Sequence, residues 1–366
     1  MKNKKLLICG YYGFANAGDE AMLMAVIDAL SNMRADLDIT VLSGNPKETR
    51  ERHGVKAVHR LNVLAIIKAL FSSELVISGG GSLLQDVTSR RSIFYYLGVL
   101  QLAKLLRKPV MLYGQGIGPI NGSWARRLTR FVCRQLDLIT VRDRKSKEEL
   151  ANLGIDVEKV HLTADPVMAM NQVDKHIGRL ILRRYNMEGA KMLVGISVRN
   201  WQGIEGFKSV LAKVADSLIK DYDARVVFMP LQYPDDIAVS EEVVALMQEK
   251  QQVAVINERC SISDFLSLVG NMSLLISVRL HALIFGAVMH VPVIGVSYDP
   301  KIDGFLEGIN STSVGDLAEV SFEQLMARVQ QVVDNKSLLE EQNLCIEDLR
   351  NNALKNAQLA VELLEK

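Results

Sequence analysis

The chain alternates short apolar runs with longer amphipathic stretches, and it does so twice. The first series runs through Lys5–Cys9, Ala21–Met33, Ile39–Leu42, Leu64–Phe71, Leu75–Ser78, Ile93–Leu106, Val110–Tyr113, Trp124–Leu136 and Leu138–Val141. Short β-branched or apolar runs separated by helical stretches of this length are what βαβ units require, because strands covered on both faces by crossover helices have no polar face to show. A second series opens at Met192–Val198 and continues through Ser209–Lys220, Ala224–Met229, Glu241–Gln248, Val253–Ile256, Leu274–Ser277 and Val291–Val296. Between the two, Asp165–Gly189 is polar and turn-rich apart from Leu180–Leu182, so the domain junction is expected near residues 168–188. The tail Ser321–Lys366 reads as helical, with Leu325, Val329, Val332 and Val333 as its apolar positions. The expected fold class is α/β: two Rossmann-like, doubly wound domains facing across a cleft, residues 1–172 and 173–345, with a C-terminal helix, 346–366, crossing back to the first.

At 366 residues the chain is longer than one hydrophobic core usually serves, which agrees with two domains. Hydrophobic residues make up 49% and charged ones 23%, so there is ample core and no case for extensive disorder. The formal charge of +1 gives no whole-molecule attraction to nucleic acid, and no such partner is expected. Cys9, Cys133, Cys260 and Cys345 are far apart and form no Cys/His cluster. Neither a metal site nor a disulfide framework is signalled, and reduced, mostly buried thiols of a cytoplasmic protein are expected. The start Met1–Lys5 is basic, but the apolar stretch after it is too short for a signal segment and runs into glycines, so it reads as the first strand. No window approaches the roughly 18 uninterrupted apolar residues of a membrane-spanning helix. Any membrane contact is expected to be peripheral, with the basic segment Trp124–Arg134 as an amphipathic patch for anionic lipid; a solvated helix with arginine stems laid over the core is the simpler reading of that segment.

In an open parallel sheet, ligands bind beyond the carboxyl ends of the strands, so the residues after each apolar run carry the functional information. After the first run comes Gly10-Tyr11-Tyr12-Gly13-Phe14-Ala15-Asn16-Ala17-Gly18-Asp19-Glu20. After Leu75–Ser78 comes Gly79-Gly80-Gly81-Ser82-Leu83-Leu84-Gln85-Asp86, and after Val110–Tyr113 comes Gly114-Gln115-Gly116-Ile117-Gly118-Pro119. Neither GxGxxG nor GxxxxGK[ST] is present, which weakens dinucleotide and ATP readings. Tight turns alone account for one or two glycine loops. Three of them, carrying Asp19, Asp86 and Gln115, point to a ligand rim whose polar groups suit sugar hydroxyls. Asp19 or Glu20 can instead cap the helix that follows.

The second series supplies cations. Arg199 directly follows Val194–Val198, and Arg279-Leu280-His281 stands where the run Leu274–Ser277 gives way to a helix. Unpaired N–H groups and the positive dipole end of such a helix favour phosphate or carboxylate. Arg279 adds a permanent planar charge and His281 a group that exchanges protons near neutral pH. Lys301, after Ser297-Tyr298-Asp299-Pro300, is a further cation. The alternative is structural: either arginine pairs with a carboxylate such as Asp299 or Asp303, and Arg142-Asp143 and Ala164-Asp165-Pro166 read as structural pairing of this kind. His53, His59, His161, His176 and His290 lack local partners and are expected in ordinary surface or core positions.

Together, Gly10–Glu20 (GYYGFANAGDE), Gly79–Asp86 (GGGSLLQD), Gly114–Pro119 (GQGIGP), Arg142-Asp143, Ala164-Asp165-Pro166, Val278–Leu283 (VRLHAL) and Ser297–Lys301 (SYDPK) resemble the polysaccharide pyruvyltransferases, specifically the CsaB type, over about residues 5–305. The family pattern has Gly-Met where this chain has Ser277-Val278, a departure that leaves the cations intact. The resemblance implies a GT-B-like fold and an enzyme that takes phosphoenolpyruvate as donor substrate, with no cofactor and no metal. Its acceptor is N-acetylmannosamine of a lipid-linked secondary cell-wall polysaccharide precursor, the polymer to which S-layer proteins attach. Pyruvate arrives as a cyclic ketal and phosphate leaves. It further implies that the second domain is the donor side, with Arg199, Arg279, His281 and Lys301 on the phosphoenolpyruvate and Arg279 and His281 catalytic. The first domain is then the acceptor side, with Gly13, Asp19, Gly80, Gly81, Asp86 and Gln115 lining it. An oligomeric assembly is compatible with this. On the residues alone, a nucleotide-sugar-dependent glycosyltransferase of the same architecture and a non-catalytic sugar- or anion-binding module stay open.

Overall fold

The computed structural model describes residues 3–87, 90–201 and 204–366, so Met1 and Lys2 of the basic start lie outside the described residues. The chain divides into two compact units, Met1–Met170 with Leu349–Lys366, and Asn171–Asp348.

The first unit holds β1 (Lys4–Tyr12), β2 (Leu37–Ser43), β3 (Lys56–His59), β4 (Leu75–Ser78), β5 (Gly81–Leu84), β6 (Val110–Ile117), β7 (Leu138–Val141) and β8 (Val160–Leu162). Among the described residues they form one parallel sheet, ordered β3-β2-β1-β4-β6-β7-β8, with β5 paired to β6. Alternation along β1 divides the core between the sheet's two faces. Leu6 and Ile8 pack with Leu23, Val26 and Leu30 of the helix Ala17–Met33 and with Ala357, Ala360 and Leu364 near the chain's end. Leu7 and Cys9 pack with Ile66, Leu70, Ile93 and Leu97 on the other face. Each such large side chain contributes about 1.5–3 kcal/mol by leaving water. The terminal residues therefore complete the first unit's core. Their helix is longer than the expected 346–366, spanning Lys336–Glu365.

Two expected loops are strand instead. Gly81–Leu84 forms β5, and Gly114-Gln115-Gly116 lies inside β6, because Gly81 pairs with Gln115 and Leu84 with Ile117. The short strands β3 and β8 have half-polar sequences, Lys-Ala-Val-His and Val-His-Leu, and stand at the sheet's two edges, where one side meets solvent.

The second unit holds β9 (Met192–Ser197), β10 (Ala224–Phe228), β11 (Val253–Val255), β12 (Leu274–Ser277) and β13 (Val293–Gly295), a five-stranded parallel sheet ordered β11-β10-β9-β12-β13. The run Leu180–Leu182 of the junction belongs to a helix, His176–Arg184. Both units are thus doubly wound α/β folds of Rossmann type. In each, strand order reverses at one point, between β1 and β4 in the first and between β9 and β12 in the second. The crevice outside the strand ends at such a reversal is where open α/β sheets bind ligands.

Candidate active-site residues at two switch points

In the first unit, the β1 end leads through Asn16, whose side chain caps the helix Ala17–Met33, to Asp19 and Glu20 in its first turn. Glu20, not Asp19, is tied down. Its Oε1 accepts the N–H of Gly13 at 2.8 Å, and its Oε2 lies 3.0 Å from Nε2 of the buried His53. Burial alone would raise the Glu20 carboxyl, but the His53 and Gly13 hydrogen bonds and the charges of His53 and Arg52 outweigh it, and the net shift is downward. His53 is therefore a paired core histidine.

Asp19 accepts no hydrogen bond from the described residues. A Cβ placed on Gly81, which sits at φ +90°, would lie 3.5 Å from Asp19 Oδ1, so the carboxylate faces the start of β5 across the switch point. Desolvation pushes the Asp19 carboxyl up to about 7; the charge of Glu20 adds to this, Arg142 opposes it, and Asp165 adds again. Arg142, after β7, donates to Asp165 Oδ2 at 2.7 Å and to Ser82 Oγ at 3.2 Å. The expected structural pairing of Arg142 is present, with Asp165 as its closest carboxylate.

Four of the expected rim residues serve the scaffold. Gln115 is fully buried, its Nε2 donating to the Gly81 carbonyl and its Oε1 accepting from Ser78 Oγ. Its amide fixes β5 to the β4 end. Both carboxylate oxygens of Asp86 accept backbone N–H groups, from Asn121 at 2.9 Å and Gly122 at 2.7 Å, so it clamps the loop after β6. At Gly13 and Gly80, an added Cβ would lie 2.2 Å from Ser43 Oγ and 2.2 Å from Met22 Sδ, so close packing requires glycine there.

In the second unit, Arg199 follows β9 and Arg279 follows β12, and each reaches past the other's strand. Arg279 NH2 donates to Asp236 Oδ1 and lies 3.4 Å from Gln232 Oε1, both beyond β10. Arg199 NH1 donates to the Tyr298 hydroxyl, beyond β13, at 2.9 Å, and its guanidinium lies 5.0 Å from the Trp201 ring centre. The two guanidinium groups therefore cross over the β9/β12 switch point. The Nε atoms of both are buried and have no hydrogen-bond partner among the described residues. Arg279 is also the N-cap of the helix Leu280–Val288, whose first turn has no side-chain cap. His281, half-buried, stands in that turn.

The carboxylates expected to compete for these arginines are engaged elsewhere. Asp303 accepts the hydroxyls of Ser297 and Ser313, and Asp299 caps the helix Pro300–Gly308 by accepting Lys301 N–H, with Lys301 Nζ 3.5 Å from its other oxygen. The residue that sequence reading missed is Asp236, 1% exposed, which also accepts the N–H groups of Leu231 and Gln232. It stands in the first turn of the helix Asp235–Leu246 that follows β10, and a carboxylate at a helix start beyond a strand was the available signal. The departure at Ser277 has a physical role: its hydroxyl donates to the Ser197 carbonyl at 3.0 Å and accepts Arg279 N–H at 2.8 Å, joining the two strand ends. Among the described residues no group of three or more His, Cys, Asp or Glu side chains suits a metal ion, and no helix is long and apolar enough to cross a membrane.

Comparison with solved structures supports the fold class. The chain superposes on a putative UDP-N-acetylglucosamine 2-epimerase from Listeria monocytogenes with a TM-score of 0.73 at 14% identity, covering 98% of this chain and 96% of that one. It superposes on Anabaena Alr3699/HepE in complex with UDP-glucose with a TM-score of 0.65 at 12% identity, covering 99% of both. At the sequence level it is 22% identical to the amylovoran biosynthesis protein AmsJ of Erwinia amylovora, over 92% of this chain and 94% of that protein. The family model for polysaccharide pyruvyl transferase matches residues 16–300, a span that takes in Asp19, both crossing arginines and His281. The chain therefore belongs to the polysaccharide pyruvyl transferase family and is an enzyme of pyruvyl transfer to polysaccharide.

Proposed function

We propose that the pyruvyl donor is phosphoenolpyruvate, held by the second unit at the β9/β12 switch point. The crossed arginines carry this reading. Each keeps a buried Nε–H without a partner among the described residues, and the helix Leu280–Val288, with no side-chain cap among them, adds backbone N–H groups. A small ligand bearing both a phosphate and a carboxylate offers acceptors to all of these donors, and unpaired buried donors are costly enough to make that exchange favourable. Asp236 offsets part of the Arg279 charge, so Arg199, the helix end and Lys301 share the neutralisation of the donor.

His281 is the proposed acid. It protonates the donor's methylene carbon, which leaves C2 electrophilic; an acceptor hydroxyl adds to C2, phosphate departs with its bridging oxygen, and a second hydroxyl of the same sugar closes the ketal. Of the two hydroxyl protons lost by the acceptor, one appears on the new methyl group and the other on phosphate, so no oxidant or reductant is needed. The first unit is the acceptor side. The acceptor proposed is N-acetylmannosamine of a lipid-linked secondary cell-wall precursor, as in the CsaB type of the family. Such an acceptor brings the enzyme to the inner membrane face, where the helix Ser123–Cys133 offers exposed Trp124 and Phe131 beside Arg127.

Calorimetry with phosphoenolpyruvate and with a UDP-sugar tests the donor. Tight binding of the UDP-sugar and none of phosphoenolpyruvate overturns the reading. Incubation with phosphoenolpyruvate and an aryl-linked N-acetylmannosamine disaccharide tests the transfer, which appears as a gain of about 70 Da on the sugar with release of phosphate.

A further inference from the structure

We propose that the first unit docks on an anionic lipid surface through one face built from three helices, Val63–Ser72, Arg90–Leu105 and Ser123–Cys133. This goes beyond the pyruvyl-transfer reading, uses the first unit alone, and widens the lipid contact from one helix to a surface.

The three helices cover the same side of the sheet. Ile66 and Leu70 of the first, Leu97 and Leu100 of the second, and Ala125 and Val132 of the third share one core. Hydrogen bonds between neighbours fix their order. Lys108 Nζ, just past the second helix, donates to the carbonyls of Phe71 and Ser73 at the end of the first, at 2.8 and 2.9 Å. The side-chain amides of Gln101, in the second helix, and Gln135, just past the third, bond to each other. The helices therefore lie side by side, and the sides turned away from the core make one surface. On the first, Leu64, 81% exposed, and Phe71 flank the exposed Lys68 at a spacing of four and three residues, which puts all three on one stripe. On the second, Phe94 and Leu105, the latter 70% exposed, stand roughly three turns apart on one side, with the exposed Arg91 before them. On the third, Trp124, 74% exposed, and Phe131 flank Arg127 in the same way.

Charge names the partner. Between Asp86 and Asp137 the sequence carries nine Lys or Arg and no Asp or Glu, and between Arg60 and Glu74 it carries Lys68 and again no acid. In a chain of formal charge +1, the balancing carboxylates lie elsewhere, so this face is cationic although the molecule is not. Lys104 pairs with Asp137 and Arg126 with Glu149, which leaves Lys68, Arg91, Arg127 and Arg130, all exposed, for an anionic partner. Scattered apolar side chains on a surface are ordinary, but large ones gathered on one face and interleaved with cations mark a contact. A nucleic acid would use the cations and gain nothing from Leu64 or Leu105. A bilayer uses both: anionic headgroups meet the Lys and Arg, the acyl boundary takes the Leu and Phe side chains, and a tryptophan ring sits at the junction of the two.

The test is co-sedimentation of the full-length protein with vesicles of equal parts phosphatidylglycerol and phosphatidylcholine, and with vesicles of phosphatidylcholine alone. Binding is expected to the anionic vesicles and to weaken as salt is added. Lys68→Ala with Arg127→Ala is expected to bind them about 25-fold more weakly, about five-fold for each cation removed. Leu64→Ser with Trp124→Ser is expected to bind at least about ten-fold more weakly, because both side chains leave water on docking. All four substituted side chains are exposed, so the fold does not depend on them. No binding to the anionic vesicles overturns the proposal, and so does equal binding to the two kinds of vesicle. Equal binding by the wild type and both variants overturns it too, since the contact then lies elsewhere. Self-association that Leu64→Ser abolishes, without vesicle binding, assigns the face to a second copy of the chain. No substrate enters these measurements, so pyruvyl transfer stands or falls by its own tests.

Discussion

At the β1/β4 switch point the strand ends deliver a carboxylate, Asp19, against a glycine held at positive φ; at the β9/β12 switch point they deliver two guanidinium groups that cross. The strand order around the switch point is the same in both units, down to a serine closing the second strand of each pair, Ser78 opposite Cys9 and Ser277 opposite Ser197. What differs is the residue after the strand, and with it the sign of the charge that the crevice presents. A parallel sheet fixes where a ligand sits, while the first few residues beyond each strand fix which ligand it is. The acidic crevice suits neutral hydroxyls, and the cationic one suits a small dianion or trianion.

The largest effect that sharpens this contrast is on donor binding. Arg279→Ala is expected to weaken phosphoenolpyruvate by about 2–5 kcal/mol, as for loss of one partner from a desolvated charge contact, whereas Asp19→Asn leaves donor affinity alone. Removing Arg279 also leaves Asp236 as an uncompensated buried charge, which destabilises by about 3–5 kcal/mol. The double variant Arg279→Met with Asp236→Asn restores most of that stability but not the binding, so calorimetry and denaturant unfolding together separate the two roles. Unchanged donor affinity in the double variant takes Arg279 out of the site and dissolves the contrast.

The next effect is on stability and has opposite signs at adjacent residues. Glu20 is held below its ordinary range, so its contribution is present above the unfolded-state pKa and is lost as pH falls through the folded value. Glu20→Gln is expected to cost about 1.5–3 kcal/mol at neutral pH, with the deficit shrinking on acidification. Asp19 is raised from 3.8 to about 7, so ionising it costs stability that grows between those values and is fully felt above the upper one. Asp19→Asn is expected to be more stable than wild type at pH 8, by on the order of 1–3 kcal/mol after allowance for the residue's partial exposure, and equal to it near pH 4. Urea unfolding at the two pH values measures both. An Asn variant less stable than wild type at pH 8 breaks the distinction between the raised and the hydrogen-bonded carboxylate.

Much of the scaffold was legible because burial on both faces leaves an unmistakable apolar run, as in Ile39–Leu42, Leu138–Val141 or Leu274–Ser277. Of the candidate site, what was legible was placement directly after a strand, as with Arg199 after β9 and Arg279 after β12. Roles that depend on strand order were not. That the arginines cross, and that Arg279 meets Asp236, 43 residues away, requires knowing that β9 lies between β10 and β12. Glycine-rich segments misled in the other direction. Gly81–Leu84 and Gly114-Gln115-Gly116 have the composition of ligand loops, yet they pair as strands because Gln115 spends its amide on Gly81 and Ser78. Composition reports that backbone comes close to something there; it does not report whether the neighbour is a ligand or another strand. His53 and Glu20 lie too far apart in sequence, 33 residues, for local pattern to join them.

The smallest predicted effect compares the two serines. Each is 1% exposed, and each uses its hydroxyl at a switch point, Ser78 donating to Gln115 Oε1 and Ser277 bridging the Ser197 carbonyl and Arg279 N–H. Substituting either by alanine removes a neutral buried hydrogen bond, so each is expected to cost about 1 kcal/mol in denaturant unfolding. Their functional consequences should part. Ser277 fixes the backbone from which Arg279 extends, so Ser277→Ala is expected to raise the KM for phosphoenolpyruvate by a few-fold, on the scale of a fraction of one hydrogen bond. Ser78 braces a glycine strand on the proposed acceptor side, so Ser78→Ala should leave that KM at the wild-type value. If the donor KM rises equally in both variants, the serines are acting through general stability, and the assignment of donor to one switch point and acceptor to the other loses its support from the strand ends.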